Sequence, residues 1–176
     1  MATETLRSET PQDAEDAAEL LRACAADGIA VRFGGGATKA WGRPGGDHGL
    51  HMHTSALDAI VEHNRGDLTA VLQAGVPLRV LGETLDAAGQ MLALDPPLGP
   101  GEAATVGGAI ATGDCGPLRH RYGAARDLVL GVTVALSDGS LAHAGGKVMP
   151  TPRLCGEVPG PYRRHPLERD GVAERF

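Results

Sequence analysis

Aromatic residues are scarce in this chain: Phe, Tyr and Trp make up 3 % of its 176 residues. A core must therefore be assembled from Ala, Val, Leu and Ile. Cysteine is scarce too, with only Cys24, Cys115 and Cys155 and no CxxC spacing. That excludes a disulfide framework and a zinc site built on cysteine pairs, and it fits a reducing compartment. No apolar run approaches the ~20 residues of a membrane-spanning helix. The first ten residues, MATETLRSET, are polar and lack the apolar segment of a secretory leader, so a cytoplasmic location is expected. An excess of basic charge is also missing. The formal net charge is −6, which argues against nucleic acid as a partner.

Glycine and proline are abundant, at 26 and 12 residues, and imply many turns and close backbone approaches. A helix is predicted over residues 10–27. Thr10 caps it, Pro11 suits the first helical position, and Ala17, Leu20, Leu21, Cys24 and Ala25 form one apolar stripe ending at Gly28. Cys24 is then a core residue rather than a reactive thiol. Short strands are expected at 29–33, 51–54, 59–62 and 69–73. Pro77 opens a second helix with Leu78, Leu81 and Leu85 on one side and Gly89 at its end. Met91 to Leu94 is extended and stops at Asp95-Pro96-Pro97. Thr105 to Thr112 is a short helix of small residues. Leu128 to Leu136 is strand-like, and Asp138-Gly139 signals a hairpin turn into a returning strand over 140–144. Two lobes are expected, 10–95 and 100–148. Residues 150–176 carry five prolines and nine charged residues with no periodicity, and are expected to be irregular or disordered.

The stretch VRFGGGATKAW (31–41) carries the first chemical signal. A strand running into Gly34, Gly35, Gly36, Ala37 and Thr38 can turn several backbone N–H groups toward one anion, with no Cβ in the way. A tight turn needs only one or two glycines, so phosphate binding is favoured. The dinucleotide pattern G-x-G-x-x-G fails, because position 39 is Lys and no acidic residue follows at a strand end. The Walker A pattern fails at Gly146-Lys147, where Leu141 and Val148 occupy the other required positions. A second cluster, Thr105-Val106-Gly107-Gly108, enters the small-residue helix. Thr105 is a candidate cap, and the free N–H groups of that helix start are expected to face an anion. Two such sites suggest a long ligand with a pyrophosphate lying between two lobes. His48, His51 and His53 are spaced H-x-x-H-x-H, but no carboxylate or cysteine supports them nearby. No metal site is expected.

The residues resemble the FAD-binding domain shared by the vanillyl-alcohol oxidase and p-cresol methylhydroxylase flavoproteins, and within it the FAD-binding (E-type) subunit of bacterial glycolate oxidase. The resemblance rests on VRFGGGATKAWG (31–42), LDAIVEHNRGDLTAVLQAGVPL (57–78), GQMLALDPP (89–97), ATVGGAIATGDCGPLRHRYGAARDLVLGVTVALSDGS (104–140) and GGKV (145–148). The stretch 104–140 is the most specific. The resemblance implies an α+β fold of two subdomains over residues 1–148, with FAD between them. It implies that Gly34, Gly35, Gly36, Ala37 and Thr38 line the FAD pyrophosphate. Thr105, Gly107 and Gly108 fall on a second flavin-contacting loop, Gly113 and Gly116 on its continuation toward the isoalloxazine, and Val132 on a strand near the adenine.

The family pattern stops after Val148, where MPTPRLCGEVPG begins. A frame shift near codon 149 or a truncated gene is the expected explanation. The resulting expectation is the FAD-binding domain or subunit of a 2-hydroxy-acid (glycolate-type) oxidase or dehydrogenase, with hydride passing from substrate to flavin and with other oxidase subunits as partners. No catalytic residue is nominated. Alternatives are a non-catalytic FAD-binding or assembly subunit, an inactive relic, and a Rossmann-type nucleotide enzyme, the last disfavoured by Lys39 and by the hairpin after Leu136.

Overall fold

The computed structural model describes residues 7–39, 48–146 and 155–157. Its first layer is a parallel sheet of β1 (Arg7–Glu9), β2 (Val31–Gly34) and β3 (Leu50–His53), in the order β1-β3-β2. The edge strand β1 was not legible in its polar sequence. Central β3 alternates buried Leu50 and Met52 with partly exposed His51 and His53, the period of a strand with one covered face. Helix α1 (Ala14–Asp27) is the cover: its Ala17, Leu21 and Cys24 pack with Leu50 and Met52. Cys24 is thus a core residue, while Ala25 of the expected stripe is exposed. The helix starts later than expected, because Asp13 rather than Thr10 is the cap. Its carboxylate accepts the Asp16 N–H at 2.8 Å, satisfying an orphan donor and complementing the helix dipole. Gly28 ends it at φ 67°, the left-handed conformation glycine adopts without a Cβ penalty.

The second layer begins with the antiparallel pair β4 (Ile60–Asn64) and β5 (Thr69–Leu72). Helix α2 (Leu78–Ala87) follows Pro77, with Leu78, Leu81 and Leu85 buried as their spacing predicts. Then come β6 (Gln90–Leu92), a 3₁₀ turn (Pro100–Glu102), α3 (Val106–Thr112), and two single-turn helices, α4 (Arg119–Tyr122) and α5 (Ala125–Leu128). They enclose a core that includes Val76, Leu81, Leu85, Leu94, Ala104, Val106, Ala109 and Leu128. The hairpin of β7 (Gly131–Ala135) and β8 (Leu141–Gly145) turns at Asp138-Gly139 as expected. Arg22 of α1 donates to the Gly139 carbonyl at 2.7 Å, and Ala135 packs on the α1 core. The α+β class is the one observed.

Two further expectations change. The strand placed at 128–136 begins only at Gly131, because Leu128 closes α5. There the Asp127 carboxylate accepts the Ala124 N–H at 2.8 Å and shapes the turn, and Leu128 is driven into the core at 1 % exposure. Ala93, Leu94 and Ala104, on either side of the segment 95–100, are all buried in one cluster. Finally, residues 155–157 of the tail form β9 (Cys155–Glu157), antiparallel to β6; the rest of the stretch from 149 lies outside the described residues.

Candidate functional site

Four backbone segments converge at the C-terminal end of β2. The Gly34 carbonyl accepts the Thr54 N–H at 2.9 Å, which pins the glycine loop to the exit of β3. A Cβ on Gly35 would lie 2.8 Å from the Thr105 hydroxyl. A Cβ on Gly36 would fall inside the Ala103 carbonyl oxygen, and one on Gly75 inside the Thr54 carbonyl oxygen. Another on Gly99, itself at φ 70°, would lie 2.6 Å from the Thr38 Cβ. Close approach of chain to chain therefore explains Gly35 and Gly36 on their inner side. The glycine loop and the Thr105 loop, 70 residues apart in sequence, are brought into contact, and Thr54, Gly75, Gly99 and Ala103 complete the junction.

The backbone donors divide sharply between the two loops. Thr105 caps α3 as expected, its hydroxyl accepting the Gly108 N–H at 3.2 Å. The free N–H groups expected at this helix start are not free, however. Val106 donates to the Val76 carbonyl at 2.9 Å, Gly107 to Ala74 at 2.7 Å and Ala109 to Thr105 at 2.9 Å. The bridge between Pro77 and Thr105 explains this, since it lays the 74–77 segment across the helix start. The glycine loop is the opposite case. Among the described residues, the N–H groups of Gly35, Gly36, Ala37 and Thr38 donate to nothing. Ala37 is held at φ 52° and, like Gly35, is exposed. A non-glycine residue in the left-handed region carries a cost of about 1–2 kcal/mol. Successive N–H groups around such a residue form an anion-binding concavity.

Sequence reasoning missed the brace that supports this loop. Asp95-Pro96-Pro97 was legible only as a chain stop. In the fold the Asp95 carboxylate accepts the N–H of Gly116 at 3.0 Å and of Leu118 at 3.1 Å. Gly116 sits so close to Asp95 that a Cβ would overlap its backbone oxygen. Gly113 closes α3 at φ 63°. Lys39, seen before only as a breach of the dinucleotide pattern, reaches across to pair with Asp114 and donates to the Pro97 carbonyl at 3.3 Å. Gly113 and Gly116 are thereby linked to the glycine loop. Val132 stands apart on the β7–β8 ribbon, opposite Ala144 and 41 % exposed.

The histidines do share a sheet face, His51 and His53 stacking with ring centroids 3.9 Å apart and His48 meeting His51 edge-on at 6.0 Å. No group of metal-ligating side chains forms among the described residues. Desolvation, followed by the charges of His53, Arg32 and His48, lowers the His51 pKa below its ordinary 6.5. The folded state then binds this proton less readily than the unfolded chain. Its effect is absent above 6.5 and grows as pH falls below it. Wild-type protein should lose stability relative to His51→Gln between pH 7.5 and 5.5 in urea titrations. A wild-type-to-variant difference that is the same at both pH values would contradict this.

Comparisons with known proteins identify the family. A family profile described as "FAD binding domain" matches residues 9–145. The chain is 34 % identical over 136 residues to the mitochondrial D-lactate dehydrogenase (cytochrome) of Kluyveromyces lactis, covering 74 % of this chain and 23 % of that protein. It is 40 % identical over 90 residues to glycolate oxidase subunit GlcE of Escherichia coli, covering 51 % and 25 %. It is 32 % identical over 143 residues to a D-lactate dehydrogenase of Archaeoglobus fulgidus, covering 79 % and 31 %. The matched region is thus a third or less of each relative's length. In fold, 6-hydroxy-D-nicotine oxidase from Arthrobacter nicotinovorans superposes with a TM-score of 0.68 at 19 % identity, over 81 % of this chain and 31 % of that one. The chain belongs to the FAD-binding domain family of p-cresol-methylhydroxylase-type flavoproteins.

Proposed function

We propose that this domain holds FAD by its pyrophosphate on the glycine loop, as the flavin-binding part of a 2-hydroxy-acid oxidoreductase of the glycolate or lactate type. The observation that carries the reading is the row of N–H groups from Gly35 to Thr38 around left-handed Ala37 that have no partner among the described residues. A pyrophosphate needs just such donors, and backbone donors suit a chain whose net charge is −6. Thr105, Gly107 and Gly108 would contribute differently. The N–H groups of Gly107 and Gly108 serve the fold, and the Thr105 hydroxyl caps the helix, so this cluster acts as a close wall behind the loop rather than as a row of anion donors. Gly113 and Gly116 would line the continuation toward the flavin ring, and Val132 the adenine side. The bound flavin would supply the hydride acceptor. This chain's residues bind it, orient it and fix the loop around it. No general base is assigned.

Hydroxy-acid chemistry and assembly with other subunits are supported by the names of the lactate and glycolate relatives. Assembly is further supported by Val134 and Leu136, which are 43 % and 44 % exposed on the hairpin. A reducing, cytoplasmic setting is proposed from the sparse cysteines, of which Cys24 and Cys115 are free.

Ala37 gives a clean test, because its exposed side chain packs into no core. Ala37→Gly accepts the left-handed backbone more readily than alanine and should bind FAD at least as tightly as wild type. Ala37→Val places a β-branched residue where φ is positive and should weaken FAD binding by about tenfold or more. Flavin fluorescence titration reads both. Equal affinity in the valine variant, with thermal stability unchanged, would remove the loop from the site.

A further inference from the structure

The ion pair between Lys39 and Asp114 joins residues 75 positions apart, with side chains only 18 % and 28 % exposed. The pairs Arg7–Glu9 and Arg79–Glu83 are local, and each has a side chain more than 45 % exposed. Lys39 also donates to the Pro97 carbonyl at 3.3 Å. One ammonium therefore ties together the exit of the glycine loop, the 95–99 brace and the loop after α3. Asp114 is itself firmly placed. Its N–H donates to the Ala109 carbonyl at 3.2 Å, Gly113 caps α3 just before it, and Gly116 two residues on is held by the Asp95 carboxylate. The glycine loop has no comparable internal constraint. Three consecutive glycines lose much conformational entropy when fixed, and four of the loop's N–H groups donate to nothing among the described residues.

We infer that Lys39 and Asp114 form a clasp that preorganises the anion-binding loop, so that both are positioning residues for the cofactor phosphates. The inference rests on the FAD reading above. Lys39 does not bind phosphate directly here, because Asp114 and the Pro97 carbonyl hold its ammonium. Fixing the loop before the ligand arrives reduces the ordering cost of binding. Partial burial also shields the pair from salt more than a surface pair is shielded.

The sign of one substitution separates the clasp from a direct phosphate contact. Asp114→Asn removes a negative charge and releases the ammonium. If Lys39 were a phosphate ligand, FAD would bind more tightly. If the pair is a clasp, FAD binds more weakly, by about tenfold. Lys39→Met should weaken binding similarly, and the exchanged pair Lys39→Asp with Asp114→Lys should recover part of the loss. Flavin fluorescence titration of the full chain measures all four proteins. Hydrogen exchange of the Thr54 N–H, which the Gly34 carbonyl of the loop accepts at 2.9 Å, gives a second readout without FAD and should be faster in Asp114→Asn than in wild type. Equal or tighter FAD binding by Asp114→Asn overturns the clasp. A wild-type chain that binds no FAD overturns the cofactor reading instead. Hydrogen exchange then decides the clasp, and unchanged protection in Asp114→Asn overturns it.

Discussion

Gly36→Ala lowers stability by about 3 kcal/mol or more and abolishes FAD binding. The added Cβ would sit inside the carbonyl oxygen of Ala103. That oxygen belongs to backbone held between the 3₁₀ turn and capped α3, so no rotamer change relieves the overlap. The glycine loop must lift from the Thr105 loop, and the row of N–H groups over 35–38 is lost with it. In urea the midpoint should fall by more than about 1 M. Gly82→Ala is the matched control. Gly82 lies inside α2, where a Cβ meets nothing within 4 Å. Relief of glycine's helix penalty should make that variant more stable by about 0.5–1 kcal/mol. A Gly36→Ala protein with a wild-type midpoint would show that the two loops are not in contact in solution.

Leu128→Ala should cost about 2–5 kcal/mol, a large share of the 5–15 kcal/mol that holds a domain of this size together. Leu128 is 1 % exposed and shares a core with Leu81, Leu85, Val106 and Ala109. It anchors α5 against the helices that carry the Thr105 cap, so truncation leaves a cavity behind the binding loop. The melting temperature, followed by circular dichroism at 222 nm, should fall by about 5–15 °C. Val134→Ala on the open hairpin face, where Val134 is 43 % exposed, should change stability by less than about 0.5 kcal/mol. Similar losses for the two substitutions would place Leu128 on a strand surface, as its sequence context suggests, rather than in the core.

Leu128 shows where pattern reading reaches its limit. The run Leu128 to Leu136 is apolar enough to be a single strand, and nothing within the run marks the break. The break comes from Asp127 turning its carboxylate back to the Ala124 N–H and from the room that α2 and α3 leave for one leucine. Thr105 shows a mixed outcome. Its role as a cap was legible, because a hydroxyl before a short helix of small residues has few other uses. That its helix donors are taken was not legible. It depends on Ala74 and Val76 arriving from 30 residues upstream to accept them. Asp95 and the Lys39–Asp114 pair were invisible for the same reason: each acts on chain far away in sequence.

The sequence by itself determined α2 with its three buried leucines, the Asp138-Gly139 hairpin, and the two glycine clusters as the places where backbone must come close. Those features follow from residue type and short-range spacing, which act through local conformational preference. Only the tertiary structure decided that the two clusters touch each other, and that among the described residues Gly35 to Thr38 keep their N–H groups open while Val106 to Ala109 spend theirs on the fold. Hydrogen-bond satisfaction is a property of the whole chain. A donor is free or taken according to which distant carbonyl the packing brings to it.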